Sequence, residues 1–90
     1  MNEHDYRVEF TRAAAKEFRK LERLAQKRLS AVIKDLTKDP RPHGVKKLTG
    51  HDNAYRIRVG DFRIIYEIND TAVLITVVRV GDRKDVYDSF

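Results

Sequence analysis

Apolar and charged positions alternate through Tyr6-Arg-Val-Glu-Phe10, the period-2 signature of a half-buried strand. Thr11 follows as a candidate N-cap, and from Arg12 the apolar positions Ala14, Ala15, Phe18, Leu21 and Leu24 recur at helical spacing. Arg12, Lys16, Arg19, Lys20 and Arg23 fall mostly on the rest of that wheel, so the helix has a basic face. Leu29, Val32, Ile33 and Leu36 repeat the pattern, and Pro40 forces an end by Asp39. Residues 12–38 are therefore predicted to be a helical hairpin with its break near Ala25.

The stretch from Pro40 to Asn53 carries both prolines, Gly44, Gly50 and polar clusters, and reads as a long surface connection from helices to sheet. Tyr55 to Tyr66 is predicted to be a β-hairpin turning at Gly60-Asp61, with Gly first as a type II′ turn prefers. After an Asn69-Asp70 turn, Ala72 to Val80 is almost continuously apolar and β-branched, the pattern of a buried central strand that Gly81-Asp82 breaks. The expected fold class is α+β: an N-terminal strand, a helical hairpin, then a three-stranded antiparallel meander with a short C-terminal tail. The helices pack on one face of a four-stranded sheet, the face of Ile57, Phe62 and Ile64, and the other face is left open.

Composition narrows the picture. Ninety residues, 41% of them hydrophobic, suffice for one small core, so residues 1–90 are read as a single domain. With no cysteine, disulfide frameworks, thiolate nucleophiles and zinc-finger spacings are excluded, which suits a reducing cytoplasm. Neither a signal peptide nor a membrane span is legible, and no metal or cofactor motif appears. Nineteen Lys and Arg against fourteen Asp and Glu give a net charge of +5 and favour a nucleic-acid or acidic partner.

The hairpin shows where that charge acts. In the predicted register Val59 faces Phe62, Ile57 faces Ile64 and Tyr55 faces Tyr66. The opposite surface holds Arg56, Arg58, Arg63 and Ile65, with Arg58 directly across from Arg63. Like charges so placed destabilise a sheet, whereas guanidinium forks match phosphate oxygens in bidentate geometry. Arg83 lies just past the last strand, and a helical turn from Arg83 would put Tyr87 on the same face. Four guanidinium groups and an aromatic ring suit a phosphodiester with its base stacked on the ring.

Tyr55-Arg-Ile-Arg-Val-Gly-Asp-Phe-Arg-Ile-Ile-Tyr66, the segment Gly44-Val-Lys-Lys-Leu-Thr-Gly50 and the ending Val80-Gly-Asp-Arg-Lys-Asp-Val-Tyr87 resemble RelE toxins of the RelE/ParE toxin-antitoxin superfamily over nearly the whole chain. The resemblance implies a metal-independent endoribonuclease that cuts messenger RNA in the ribosomal A site and is held inactive by a cognate antitoxin. In that family the RNA 2′-hydroxyl attacks and leaves a 2′,3′-cyclic phosphate. It implies that Arg56, Arg58, Arg63, Arg83 and Tyr87 are the catalytic set, with Arg63 on the phosphate, Arg83 assisting the departing 5′-oxygen and Tyr87 orienting or stacking on the substrate. Lys46, Lys47, Arg79 and Lys84 are candidate RNA contacts within that reading. Arg56 and Arg58 stand where the family usually has lysine. Arginine stays protonated, so these two are expected to clamp the phosphate electrostatically rather than act as bases.

Two alternatives stay open: a ParE-like inhibitor of DNA gyrase on the same fold, and a non-catalytic RNA-binding module. His4, His43 and His51 read as surface histidines, and Glu17, Glu22 and Glu67 as solvated positions. Asp82 and Asp85 flank Arg83 and are expected to screen the arginines, while the turn after Ile68 decides which face Arg79 takes.

Overall fold

A computed structural model describes residues 5–82. The elements run β1 (Arg7–Phe10), α1 (Arg12–Arg19), α2 (Arg23–Lys38), β2 (Lys46–Lys47), β3 (Ala54–Val59), β4 (Phe62–Asn69) and β5 (Leu74–Asp82). The sheet order is β1-β5-β4-β3-β2, with β1 parallel to β5 and every other pair antiparallel. The α+β architecture is as expected, but the sheet has five strands rather than four. The fifth is β2, inside the stretch expected to be a plain connection. β4 rather than β5 is central, because the N-terminal strand adds to the outer side of β5.

Thr11 caps α1 as its sequence position suggests: its Oγ1 accepts the Ala14 N–H at 3.1 Å. α1 ends at Arg19 rather than near Ala25, and α2 starts at Arg23. Gln26 explains the early break, since its Nε2 donates to the carbonyls of Phe18 at 2.9 Å and Leu21 at 3.2 Å. Phe18 is in the last turn of α1, where intrahelical donors run out, and Leu21 lies between the two helices. Ala25 therefore lies inside α2 and is buried, while Leu24, placed by periodicity on the apolar stripe of α1, is 69% exposed.

The core joins Leu29, Ile33 and Leu36 of α2 to Ile64, Tyr66 and Ile68 of β4 and Ile75, Val77 and Val80 of β5. Val77 and Val80 are three apart, so simple alternation would put them on opposite faces. A bulge resolves this: Tyr66 pairs with Val77 and Ile65 with Arg79, which leaves Val78 as the extra residue. Its carbonyl accepts the Thr11 hydroxyl at 3.1 Å. The bulge turns Arg79 and Gly81 to the face away from the core, and β5 continues through Gly81 to Asp82 instead of breaking there.

The loop after α2 is tied to the sheet by aromatic and charged groups. The buried Tyr66 hydroxyl donates to the Pro40 carbonyl at 2.7 Å, and the Tyr66 ring stacks on Tyr55 with centroids 6.0 Å apart. Arg41 lies over the Tyr55 ring and reaches both carboxylate oxygens of Asp70, at 2.9 and 3.3 Å. Tyr6 donates to the same carboxylate at 2.6 Å. These hydrogen bonds, that from Arg41 first, hold the Asp70 carboxyl below its usual range, and burial pushes the Tyr66 phenol well above its own. The loop so fixed delivers Lys46 and Lys47 to the edge of β3. No helix among the described residues is long and apolar enough to cross a membrane.

Candidate nucleic-acid interface

The hairpin forms in the expected register: Val59 pairs with Phe62, Arg58 with Arg63, Ile57 with Ile64, Arg56 with Ile65 and Tyr55 with Tyr66. Gly60 has φ +61°, and Asp61 has none of the positive φ that a type I′ turn would need, so the turn is of the II′ kind. Arg28 of α2 packs against this turn: a Cβ on Gly60 would lie 2.8 Å from its Nη2.

On the face away from the helices, Gly44, Lys46, Arg56, Arg58 and Arg63 line a cavity of about 230 Å³. β2 supplies the lysine, because Lys46 pairs directly with Arg56 across the β2–β3 ladder. Lys47 pairs with Tyr55 and so projects to the other face. Arg63 is only 4% exposed, held in the central strand between Arg58 and Gly81. The expected open face is therefore not uniformly solvated, and Ile65, 2% exposed, is also covered there.

Four cations meet in this cavity, and among the described residues no carboxylate lines it. Two unit charges about 5 Å apart repel by about 1 kcal/mol in water and about 3 kcal/mol near a protein surface. A bound anion would relieve that repulsion. Lys46 is the one amine among these cations, and the other three are guanidinium groups. Sequence reading took Lys46 for an RNA contact only; the signal it missed is the Lys46–Arg56 pairing, which depends on a strand just two residues long.

The remaining predicted residues divide clearly. Arg79 is on the same sheet face, opposite Ile65, but its Nη2 and Nε contact the Glu17 carboxylate at 2.7 and 2.9 Å. Glu17 also accepts the Val80 N–H at 3.0 Å, a donor left open because β1 stops pairing at Val77. Glu17 is thus a half-buried brace for the end of β5 and not the solvated side chain its position suggested. His43 and His51 are exposed, as is Glu67, whereas Asp82 ends β5 opposite Phe62. Arg83, Lys84, Asp85, Tyr87 and His4 lie outside the described residues, as does the helical turn expected at Arg83 to Tyr87. Among the described residues no three His, Asp or Glu side chains gather as a metal site.

Comparison with known proteins gives the family. The family model described as ParE toxin of type II toxin-antitoxin system, parDE, matches residues 8–87. The chain belongs to the RelE/ParE toxin family. Among RelE/ParE relatives, it is 34% identical to a putative RelE-like toxin protein of Escherichia coli, over 92% of this chain and 90% of that one. It is 30% identical to the mRNA interferase toxin RelE of Escherichia coli K12, over 91% of this chain and 90% of the other. Solved RelE/ParE structures agree. RelE in the intact Escherichia coli RelBE toxin-antitoxin complex superposes with a TM-score of 0.78 at 29% identity, covering 86% of this chain and 95% of that chain. The archaeal RelE–RelB complex from Pyrococcus horikoshii OT3 gives 0.77 at 28% identity, covering 88% and 96%.

Proposed function

We propose that this toxin is a ribosome-dependent messenger RNA endonuclease kept in check by a cognate antitoxin. The observation that carries the reading is the gathering of Lys46, Arg56, Arg58 and Arg63 around one cavity. Relatives named mRNA interferase, and RelE structures solved in complex with RelB, support the activity and the partner. The attacking group is the 2′-hydroxyl of the RNA. Its proton passes to solvent, O2′ bonds to phosphorus, and the bond to the 5′-oxygen breaks. The departing oxygen takes a proton from solvent or from a donor beside it, and a 2′,3′-cyclic phosphate remains. Arg56, Arg58 and Arg63 take the non-bridging oxygens, where charge builds in the transition state. No metal is required by this sequence of steps. Arg83 and Tyr87 are assigned to the leaving oxygen and the stacked base on the family resemblance.

Primer extension on programmed ribosomes tests the reading. Wild-type toxin should cut within A-site codons, and Arg63→Ala should lose at least 10-fold in single-turnover rate. Absence of cleavage, with double-strand breaks accumulating in the presence of gyrase, would replace it with the second reading, a gyrase inhibitor, which the ParE description of the matching family model favours.

A further inference from the structure

A larger cavity, about 420 Å³, lies on the same sheet face as the arginine site. Asp52, Asn53, Glu67 and Asn69 supply its polar rim, and Ala54 and Thr76 contribute to its floor. Among the described residues neither Lys nor Arg lines it. The two cavities are neighbours by register. Arg58 and Arg63 form one row across the sheet, Arg56, Ile65 and Arg79 the next, and Ala54, Glu67 and Thr76 the third. Arg56 and Ala54 are two residues apart on β3, so their rows are about 7 Å apart. That separation is within the reach of one nucleotide.

The polar rim is held in place before any ligand arrives. The Asn53 carbonyl accepts the Ile68 N–H at 2.9 Å, which pins the loop to β4. Asn69 Oδ1 accepts the Ala72 N–H at 2.8 Å, so that amide is fixed and its NH₂ group is the part left to meet a ligand. One sheet face thus runs from an all-cationic cavity to one offering carboxylate and amide groups. A ligand matching both ends carries negative charge at one end and neutral hydrogen-bond donors at the other.

We infer that the larger cavity is a nucleobase subsite, which holds the base adjoining the phosphate at Arg56, Arg58 and Arg63 and prefers bases with an exocyclic amine. This rests on the reading of the arginine cavity as an RNA site. Asp52 and Glu67 accept from the amine of cytosine, adenine or guanine, and Asn53 and Asn69 complete the edge as donors or acceptors. Uracil has no exocyclic amine and offers the two carboxylates only its N3–H, between two carbonyls that they repel. The carboxylates also repel phosphate, so the orientation of the nucleotide on the sheet follows from charge as well as from fit.

The test is a ¹H–¹⁵N NMR titration of the full chain with inorganic phosphate and, separately, with the 3′-monophosphates of cytidine, adenosine, guanosine and uridine. Phosphate should move the Arg56 and Arg63 signals alone. The three amine-bearing nucleotides should also move the Asn53 and Asn69 side-chain amides and bind about 10-fold more tightly than the uridine nucleotide. The double variant Asp52→Asn, Glu67→Gln alters exposed positions and should abolish that preference while phosphate binding persists. Equal affinity for all four nucleotides, or silent Asn53 and Asn69 amides beside responding arginines, would overturn the subsite and spare the phosphate reading. Responding amides with silent arginines would do the reverse.

Discussion

Arg58→Gln should move stability and activity in opposite directions. Arg58 pairs directly with Arg63, and Lys46 and Arg56 line the same cavity, so the folded state bears a repulsion that the unfolded chain largely escapes. A like-charge pair across a sheet costs up to about 1 kcal/mol, and exposure of Arg58 keeps the effect toward the lower half of that range. Its removal should stabilise the fold by about 0.5 kcal/mol, which for a domain of this size is a rise of about 2–4 °C in Tm. The gain should shrink in 0.5 M salt, where screening shortens to a few ångströms. In the same variant a charged hydrogen bond to the phosphate disappears, and about 1.5–3 kcal/mol lost from the transition state slows single-turnover cleavage by about 10- to 100-fold. Differential scanning calorimetry at two salt concentrations and a ribosome cleavage time course read the two effects separately. A lower Tm, or an unchanged cleavage rate, would refute the claim that this pair is kept for its ligand at the expense of the fold.

Lys46→Ala removes one of the four cations of the cavity and should slow single-turnover cleavage by about 10-fold or more. An unaltered rate would take Lys46 out of the site. Tyr66→Phe leaves the buried Pro40 carbonyl without its donor and should cost about 1–2 kcal/mol in urea unfolding. Gly60→Ala meets both φ +61° and the Arg28 guanidinium, and should destabilise by about 1–2 kcal/mol or more; a neutral outcome would mean that the turn relaxes freely. Asp70 has its carboxyl lowered in the fold, so its contribution is present above the unfolded pKa of about 4 and is lost as pH falls through the lower folded value. Asp70→Asn should therefore flatten the stability profile below about pH 4 and change little in slope near neutrality.

The hairpin was legible in the sequence because alternation and one glycine turn fix its register, and with it the Arg58–Arg63 pair. Less legible were features that depend on contacts distant in sequence. The break between the helices is set by Gln26 reaching back to Phe18 and Leu21, and periodicity across 12–38 carries no mark of it. β2 has only two residues and lacks a pattern of its own; it exists because Tyr66, Tyr55 and Arg41 hold the preceding loop against the sheet. The face of Arg79 depends on the Val78 bulge, which shows in the sequence only as two buried valines at an odd separation. Family resemblance pointed to Arg56, Arg58 and Arg63, which the fold does gather, but Lys46 joins them through a pairing that no motif records.

The Val78 bulge also decides where this chain tolerates a change in length. Val78 is the extra residue, so removing it alone would restore ordinary parity, with Val77 and Val80 two apart on the core face, and would cost the Thr11 hydroxyl its acceptor. The stretch between α2 and β3 has no such parity to preserve beyond the Lys46–Arg56 pair, and added residues near Thr49 and Gly50 would reshape a loop without inverting a strand. Changes in length are therefore expected at the Val78 bulge and beside the larger cavity rather than within the regular β3–β4 ladder.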